Sequence, residues 1–426
     1  MSSVATYEAG RIDSIAAFEQ ENENRHRQQM REEYLREIVL RDEEQVAIHS
    51  RICPECGSAM HRHGLTRGRE VICAAGIVKI RLIRLRCLSC GHLVVPGLDL
   101  IPAGDVSALA AERICDLCAK MPYNKAADSL FKQHDITVSD KKIWSVVQKE
   151  AASIIDTVAL DAEALYSTGQ PPQMKDLKGE KPLIIGIDGG YVAQWGGKRE
   201  KTSFEVKCVT VATGSASGPG KKRHLTDRVG YSADVDVKTF GKRVAALALA
   251  AGSLSASKVV FISDGAPWIP ELVDTFFPGA THLLDMFHLK DRIWKTFTKT
   301  KTGCNVCFRS AALVAANRYD PNLLLAILKA WKPADRIRIE CKDELVAYVT
   351  NNAQAITAHK RSSIHGSGWI EKGVDLMISR RLKNRGMSWT RKGASRMIAF
   401  EVLLYNKEWD VYWNQRKGLE PLGLAA

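Results

Sequence analysis

Two short segments with the same spelling constrain this chain more than anything else in it. Cys53-Pro-Glu-Cys56-Gly57 and Cys87-Leu-Ser-Cys90-Gly91 are matched C-x-x-C-G units with 30 residues between the pairs. Four thiolates on two knuckle turns form the tetrahedral sulfur shell that a structural Zn²⁺ prefers. Glycine after the second cysteine lets each turn take a positive φ, so that backbone N–H groups point at sulfur. Alternating strand signals at 71–72 and 77–85 lie between the units. Residues 51–103 are therefore expected to form a zinc ribbon with Cys53, Cys56, Cys87 and Cys90 as ligands. The gap is longer than the commonest spacing of 15–20 residues, but four unrelated buried thiols would not explain two matched units. His61, His63 and His92 read as surface histidines. The chain has 11 cysteines, and Met1 to Ile15 shows neither a basic nor an apolar leader region. Clustered cysteines in such a chain point to a reducing compartment, and a cytoplasmic location is expected.

Residues 12–49 contain neither Pro nor Gly, and Glu19, Glu21, Glu23, Glu32, Glu33 and Glu37 alternate with Arg25, Arg27, Arg31, Arg36 and Arg41. That pattern reads as a solvated helix or helix pair with i,i+4 ion pairs, making 1–50 a helical N-terminal segment. Residues 104–166 are also helical. Pro122 opens a helix over 123–133, His134-Asp135-Ile136-Thr137 turns the chain, and Ser139 caps the next helix, with Val138 and Ile143 as a staple. Ala126, Leu130, Ile136, Ile143 and Val147 can make the small core of a helix-turn-helix. The opposite face of its second helix shows Lys141, Lys142, Ser145, Gln148 and Lys149, donors suited to phosphates and base edges. A plain helical hairpin would share that core. The basic face and a formal charge of +13, from 61 Lys+Arg against 48 Asp+Glu, favour DNA as the partner. Cys115 and Cys118, one helical turn apart, read as core.

The stretch 167–181, with Gly169, Pro171, Pro172 and Gly179, reads as a linker. After it come strands at 182–188, 204–213 and 222–231, a helix over 237–251, and a strand over 258–263, a mixed α/β pattern. The weakly polar run 244–256 is too short and too interrupted to span a bilayer. Within this α/β region, Ile187-Asp188-Gly189-Gly190 places an acid at the end of a buried strand. Ser263-Asp264-Gly265 repeats the design 76 residues on. Either acid alone is as well explained by a turn or a helix cap. Two together, with a third from a later helix, make a hard oxygen site for Mg²⁺ or Mn²⁺. The third acid is best sought in Gly366-Ser367-Gly368-Trp369-Ile370-Glu371. From Lys360 to Arg396 there are ten Lys/Arg against two acids, Glu371 and Asp375, so a polyphosphate would be drawn past Glu371. Arg380, Arg381, Lys383 and Arg385 are the expected phosphate contacts there.

These segments, together with Leu284-Asp285-Met286-Phe287-His288-Leu289 and Arg380-Arg381-Leu382-Lys383-Asn384-Arg385-Gly386-Met387-Ser388-Trp389, resemble bacterial insertion-sequence DDE transposases. They are most like the Kra-type and Lre-type groups, distant relatives of the Mutator-like enzymes. The resemblance covers about 52–413, including the cysteine units and the helical pair. It implies a ribonuclease-H-like catalytic core at 182–290, a helical insertion at 291–360, and final helices at 361–426 that carry the third acid. Asp188, Asp264 and Glu371 would be the catalytic triad, holding two Mg²⁺ or Mn²⁺ ions about 3.5–4 Å apart. Asp285 and His288 match the family's D-x-x-H element and are expected beside the active site. The implied activity is metal-dependent cleavage and joining of double-stranded DNA at element ends, by a homo-oligomer associated with the nucleoid and not with membrane. A structure-specific nuclease of the same fold and a non-enzymatic zinc-ribbon regulator are the alternatives. Cys304 and Cys307 match no pattern and stay unassigned.

Overall fold

The computed structural model describes residues 15–50, 52–196, 202–217, 223–298, 304–333, 335–362, 364, 368–383 and 386–419. Gly366, Ser367, Asn384 and Arg385 of the sequence motifs, and the side chain of Cys304, lie outside the described residues. Among the described residues no helix is long and apolar enough to cross a membrane. The chain divides into two units, one running to Glu150 and taking up the C-terminal segment from Asp410, the other spanning Ala151–Trp409.

The first unit begins with α1 (Ile15–His49), whose polar sequence buries only Ile38, Asp42 and Val46. Its exposed faces carry the i,i+4 pairs Arg25–Glu21 and Arg41–Glu37. Strands β1 (Met60–Leu65), β4 (Ile83–Cys87) and β5 (Leu93–Val94) form one small sheet, and β2 (Arg69–Cys73) with β3 (Gly76–Ile80) a hairpin. Ile38 packs on Val71, Val78, Ile80 and Leu82, and Val46 on Met60, Leu85 and Cys87. The buried Asp42 carboxylate accepts the Ile83 N–H at 2.7 Å, and burial pushes its pKa up. Helices α2 (Ala108–Lys120), α3 (Tyr123–His134) and α4 (Asp140–Ser167) follow. Asp135 closes α3 in the left-handed region at φ 52°, and the Ser139 hydroxyl accepts the Lys142 N–H at 3.2 Å as the cap of α4. Ala126, Leu130, Ile136, Ile143 and Val147 are fully buried, as are Cys115 and Cys118.

The second unit is built on a five-stranded mixed sheet. In chain order its strands are β6 (Leu183–Ala193), β7 (Ser203–Ser217), β8 (Arg223–Ala233), β9 (Val259–Ser263) and β10 (Thr281–Leu284); in space they run β10-β9-β6-β7-β8. β6, β7 and β8 are antiparallel neighbours, whereas β9 pairs parallel to β6 and β10 parallel to β9. Parallel strands covered on both faces read as unbroken apolar runs, as 183–187 and 259–262 do. One face packs Ile185, Ile187, Val209 and Phe261 on α5 (Val237–Ala250) and α6 (Trp268–Phe276) through Phe240, Val244, Ile269 and Leu272. The other packs Ile184, Val260, Ile262 and Leu283 against Ile370 of a later helix.

Beyond β10 come α7 (Met286–Thr298), α8 (Cys304–Asn317), α9 (Pro321–Ala330), α10 (Arg336–Asn351) and α11 (Ala353–Ala358). They share a helical core of Leu289, Ile293, Ala312, Leu324, Leu328, Trp331 and Val349. Next, α12 (Gly368–Val374), which carries Ile370, passes through a π-helical turn at Asp375–Ser379 into α13 (Arg380–Leu382). α14 (Arg391–Asn406) and α15 (Trp409–Arg416) are the last helices of the chain.

Candidate metal centres and nucleic-acid contacts

The register of the parallel strands places the acids. Ile187 pairs with Ser263, and Ser263 with Leu284, so the next residues, Asp188, Asp264 and Asp285, stand at one level on three adjacent strands. β9 and β10 end there, but β6 runs on to Ala193 with Asp188 opposite Cys208, so Asp188 sits within its strand and not at the strand end that the sequence suggests. In open α/β sheets this carboxyl edge is where ligands bind. Each Asp ties one oxygen to a nearby amide: Asp188 Oδ1 to Gly189 N–H at 2.7 Å, Asp264 Oδ1 to Ala266 N–H at 3.0 Å, and Asp285 Oδ1 to Phe287 N–H at 2.8 Å. Those bonds fix the carboxylate planes. They are also what turn and cap aspartates do, so the shared level, not the local bonding, is the informative feature.

Glu371 comes from the helix across the sheet face. A side chain at Gly186 would put its Cβ 2.4 Å from Ile370 and 2.6 Å from Trp369, and one at Gly190 would meet Ile378 at 3.0 Å. These two glycines flank Asp188 on the same strand face, so bare backbone there lets α12 lie directly against β6. The π-helical turn follows one turn after Glu371; such turns often mark functional sites.

The acids then feel one another. Burial, followed by the charges of Asp264 and Glu371, pushes Asp188 up to about 6, against the pull of the Gly189 amide and of His288. The tightest ligand group in this cluster is Asp285, His288 and Glu371, whose donor atoms lie within 4.8 Å of one another. His288 Nε2 stands 3.6 Å from Asp285 Oδ2. Asp285, expected only as a neighbour, is 5% exposed and stands inside this group. The residues that motif reading missed here are Tyr348, which bonds to the Asp264 carbonyl, and Asn352, which crowds Gly265. No signal in the isolated sequence links α10 to a strand end 84 residues earlier.

The four cysteines form a second centre. Cys53 and Cys90 sulfurs are 3.6 Å apart, and Cys56 and Cys87 sulfurs 3.5 Å. A tetrahedral site with Zn–S of about 2.3 Å has edges of about 3.8 Å, so the group could hold zinc. The knuckles repeat each other in detail. Gly57 and Gly91, at φ +74° and +78°, donate to the carbonyls of Cys53 and Cys87, and Cys53 and Cys87 donate to Ser58 and His92. The backbone N–H of Cys90 holds the Cys87 thiol down to about 6, favouring the thiolate. His61 and His63 are exposed on β1, outside the sulfur group.

The expected DNA contacts are sorted by burial. On α4, Lys141, Ser145 and Lys149 are exposed, with Trp144 beside them at 52%, an aromatic that the search for polar donors overlooked. Lys142 and Lys149 each give their ammonium to a carbonyl at 2.8 Å, of Gly104 and Ala103. Gln148 is half-buried, its amide nitrogen buried with no hydrogen-bond partner among the described residues. On the later helix Arg380 and Lys383 are exposed. Arg381 is not: it is 5% exposed, stacked 5.1 Å over Trp389, with Nη1 on Met387 Sδ. Nearby Glu401 is pushed up to about 7 by burial, against the pull of Arg381 and Arg380. The phosphate-binding expectation for Arg381 is therefore corrected: it serves the interior, where a desolvated acid and an aromatic face accept its charge. Replacing Lys141 and Lys142 with Ala should weaken DNA binding and flatten its salt dependence by about 0.9 for each phosphate no longer neutralised. Filter binding across a salt series measures both, and an unchanged slope would reduce α3–α4 to a structural hairpin.

Among known proteins, the model of a family described as an uncharacterised protein family, UPF0236, matches residues 116–417, well over half of the chain. None of the curated proteins matches. Among solved structures, the Drosophila P element transposase strand transfer complex is similar at 9% identity, over 72% of this chain and 80% of that one, with a TM-score of 0.23. At that score the likeness bears on neither fold nor function.

Proposed function

The chain belongs to the uncharacterised protein family UPF0236, and from that premise we propose that it is a DDE transposase of the insertion-sequence kind. It binds the ends of its own element and cuts and rejoins DNA strands. One observation carries the reading. Asp188, Asp264 and Asp285 stand at one level across three neighbouring parallel strands, and Glu371 joins His288 and Asp285 from a helix packed on the same face. The sheet order, with its antiparallel meander on one side of β6 and two parallel strands on the other, supports a ribonuclease-H-like core. The motif order supports the Kra-type and Lre-type groups.

Mg²⁺ or Mn²⁺ is the fitting cofactor, because the group that stands ready, Asp285, His288 and Glu371, is a hard oxygen and imidazole set. Asp188 and Asp264 lie outside it, but near enough for Asp188 to feel the charges of Asp264, His288 and Glu371. Asp188, Asp264, Asp285, Glu371 and His288 would hold it, and a bound pair of ions supplies activation of the attacking oxygen and stabilisation of the leaving one. The residues themselves fix the site. Neighbouring backbone amides orient the aspartates, and bare backbone at Gly186 and Gly190 brings Glu371 within reach. In the first step water displaces the 3′-oxygen of the element end from its phosphodiester. In the second, the freed 3′-hydroxyl displaces an oxygen of a target phosphodiester, one bond forming as one breaks. Zinc in the four-cysteine group would hold the small sheet of the first unit, and the exposed α4 face would take the duplex.

The test incubates the purified chain with duplexes bearing the element's ends and a target plasmid, in Mg²⁺ or Mn²⁺. Joined products support transposition. Cleavage without joining in either metal would make it a nuclease, and binding with neither would make it a regulator.

A further inference from the structure

The helical layer beyond Asp285 does more than fill the chain between the third and fourth acids. Its core closes on Leu284 and Leu289, and two of its polar side chains reach back to the strand ends. The Tyr348 hydroxyl donates to the carbonyl of Asp264 at 2.6 Å. His359 Nε2 lies 2.7 Å from the carbonyl of Leu284, the residue before Asp285. A carbonyl only accepts, so this nitrogen carries the proton. Both side chains are more than nine-tenths buried, at 9% and 5% exposure. Each is held in turn. Arg292 of α7 sits 4.3 Å over the Tyr348 ring, and the Tyr319 ring stacks on His359 with centroids 5.0 Å apart. Asn352 donates to the Tyr348 carbonyl at 2.9 Å. With Leu284 it also crowds Gly265, which sits at φ +78°, so the turn after Asp264 has no room to slide.

A carbonyl buried at a strand end is costly without a donor. Here two donors come from one helical layer, and each meets the peptide that carries or precedes a metal-site acid. We infer that Tyr348 and His359 are positioning residues, which lock the backbones of Asp264 and Asp285 so that the carboxylates stand ready for a divalent cation. This deepens the metal-site reading above and rests on it. Outer partners that orient ligands typically tune affinity as strongly as some ligands do.

The experiment titrates the full chain with Mn²⁺ alone, reading free ion by electron paramagnetic resonance, beside thermal unfolding of the same proteins without metal. Tyr348→Phe and His359→Leu should each bind Mn²⁺ about tenfold more weakly. His359→Gln, which keeps a donor at that reach, should restore most of the loss. Leu328→Ala, a cavity in the same helical core, should lower the unfolding temperature and leave Mn²⁺ affinity at the wild-type value. If Tyr348→Phe and His359→Leu bind as wild type does, the positioning role is wrong while the metal site stands. If Leu328→Ala weakens binding as much as they do, the effect is general loosening and the assignment also falls. A wild-type chain that binds no Mn²⁺ overturns the inference together with the reading beneath it.

Discussion

Asp188→Asn, Asp264→Asn and Glu371→Gln should each abolish strand cleavage and joining, with a loss of roughly a thousandfold or more. An amide keeps the shape of each side chain but removes the negative charge that clamps a cation between attacking and leaving oxygens. Such a clamp is worth several kcal/mol, and each 1.36 kcal/mol or so is a factor of ten in rate. DNA binding and zinc content should survive, because the acids belong to neither the α4 face nor the cysteine group. Asp285→Asn is the discriminating variant. As a neighbour that orients another group it would cost little. Its place within 4.8 Å of His288 and Glu371 makes the expected loss comparable to that at Glu371. Gel assays of cleaved and joined products read all four. Substantial transposition by Glu371→Gln would mean that the fourth acid of the cluster is not a ligand.

How much of this site was legible follows from what kind of regularity each part has. The acids at 188 and 264 stand out because a doubly covered strand must be apolar throughout, so a carboxylate and glycine after such a run is conspicuous, although β6 continues past Asp188 to Ala193. Glu371 was visible as an acid in a basic helix. The level row of Asp188, Asp264 and Asp285 was not, because strand register is a pairing property and no spacing along the chain encodes it. Tyr348 and His359 escaped for a related reason: their partners are backbone carbonyls, which carry no side-chain signature. Arg381 shows the converse error. Counting charges assigned it to DNA, yet Trp389 and Glu401 give a guanidinium an interior home. The glycines at 186 and 190 suggest close backbone approach from the sequence alone, and what approaches is α12 and the turn that follows it, through Ile370, Trp369 and Ile378.

Removing zinc should unfold the N-terminal sheet while leaving the five-stranded sheet folded. The core around the cysteines consists of Val46, Cys53, Met60, Ile83, Leu85 and Cys87, with Val94 packed against it, so two of the four clustered cysteines are themselves core residues. A second small cluster of Ile38, Val71, Cys73, Ala75, Val78, Ile80, Leu82 and Ile101 lies beside the β2–β3 hairpin. Two clusters of this size do not offset the ordering of some fifty residues at about 1–2 kcal/mol each for the backbone alone. Structural zinc in comparable sites contributes about 10–16 kcal/mol at neutral pH. Disulfides are no substitute, since sulfurs 3.5 and 3.6 Å apart stand far beyond the bonded distance of about 2.05 Å. Purified protein should therefore contain about one zinc per chain. Cys87→Ser, or a strong chelator acting on the wild type, should release it and open 52–100 to protease. DNA-end binding should fall with it, whereas Mn²⁺ binding at Asp285, His288 and Glu371 should persist. Metal-free protein whose N-terminal sheet still resists protease would show that the paired cysteines hold the fold by packing alone.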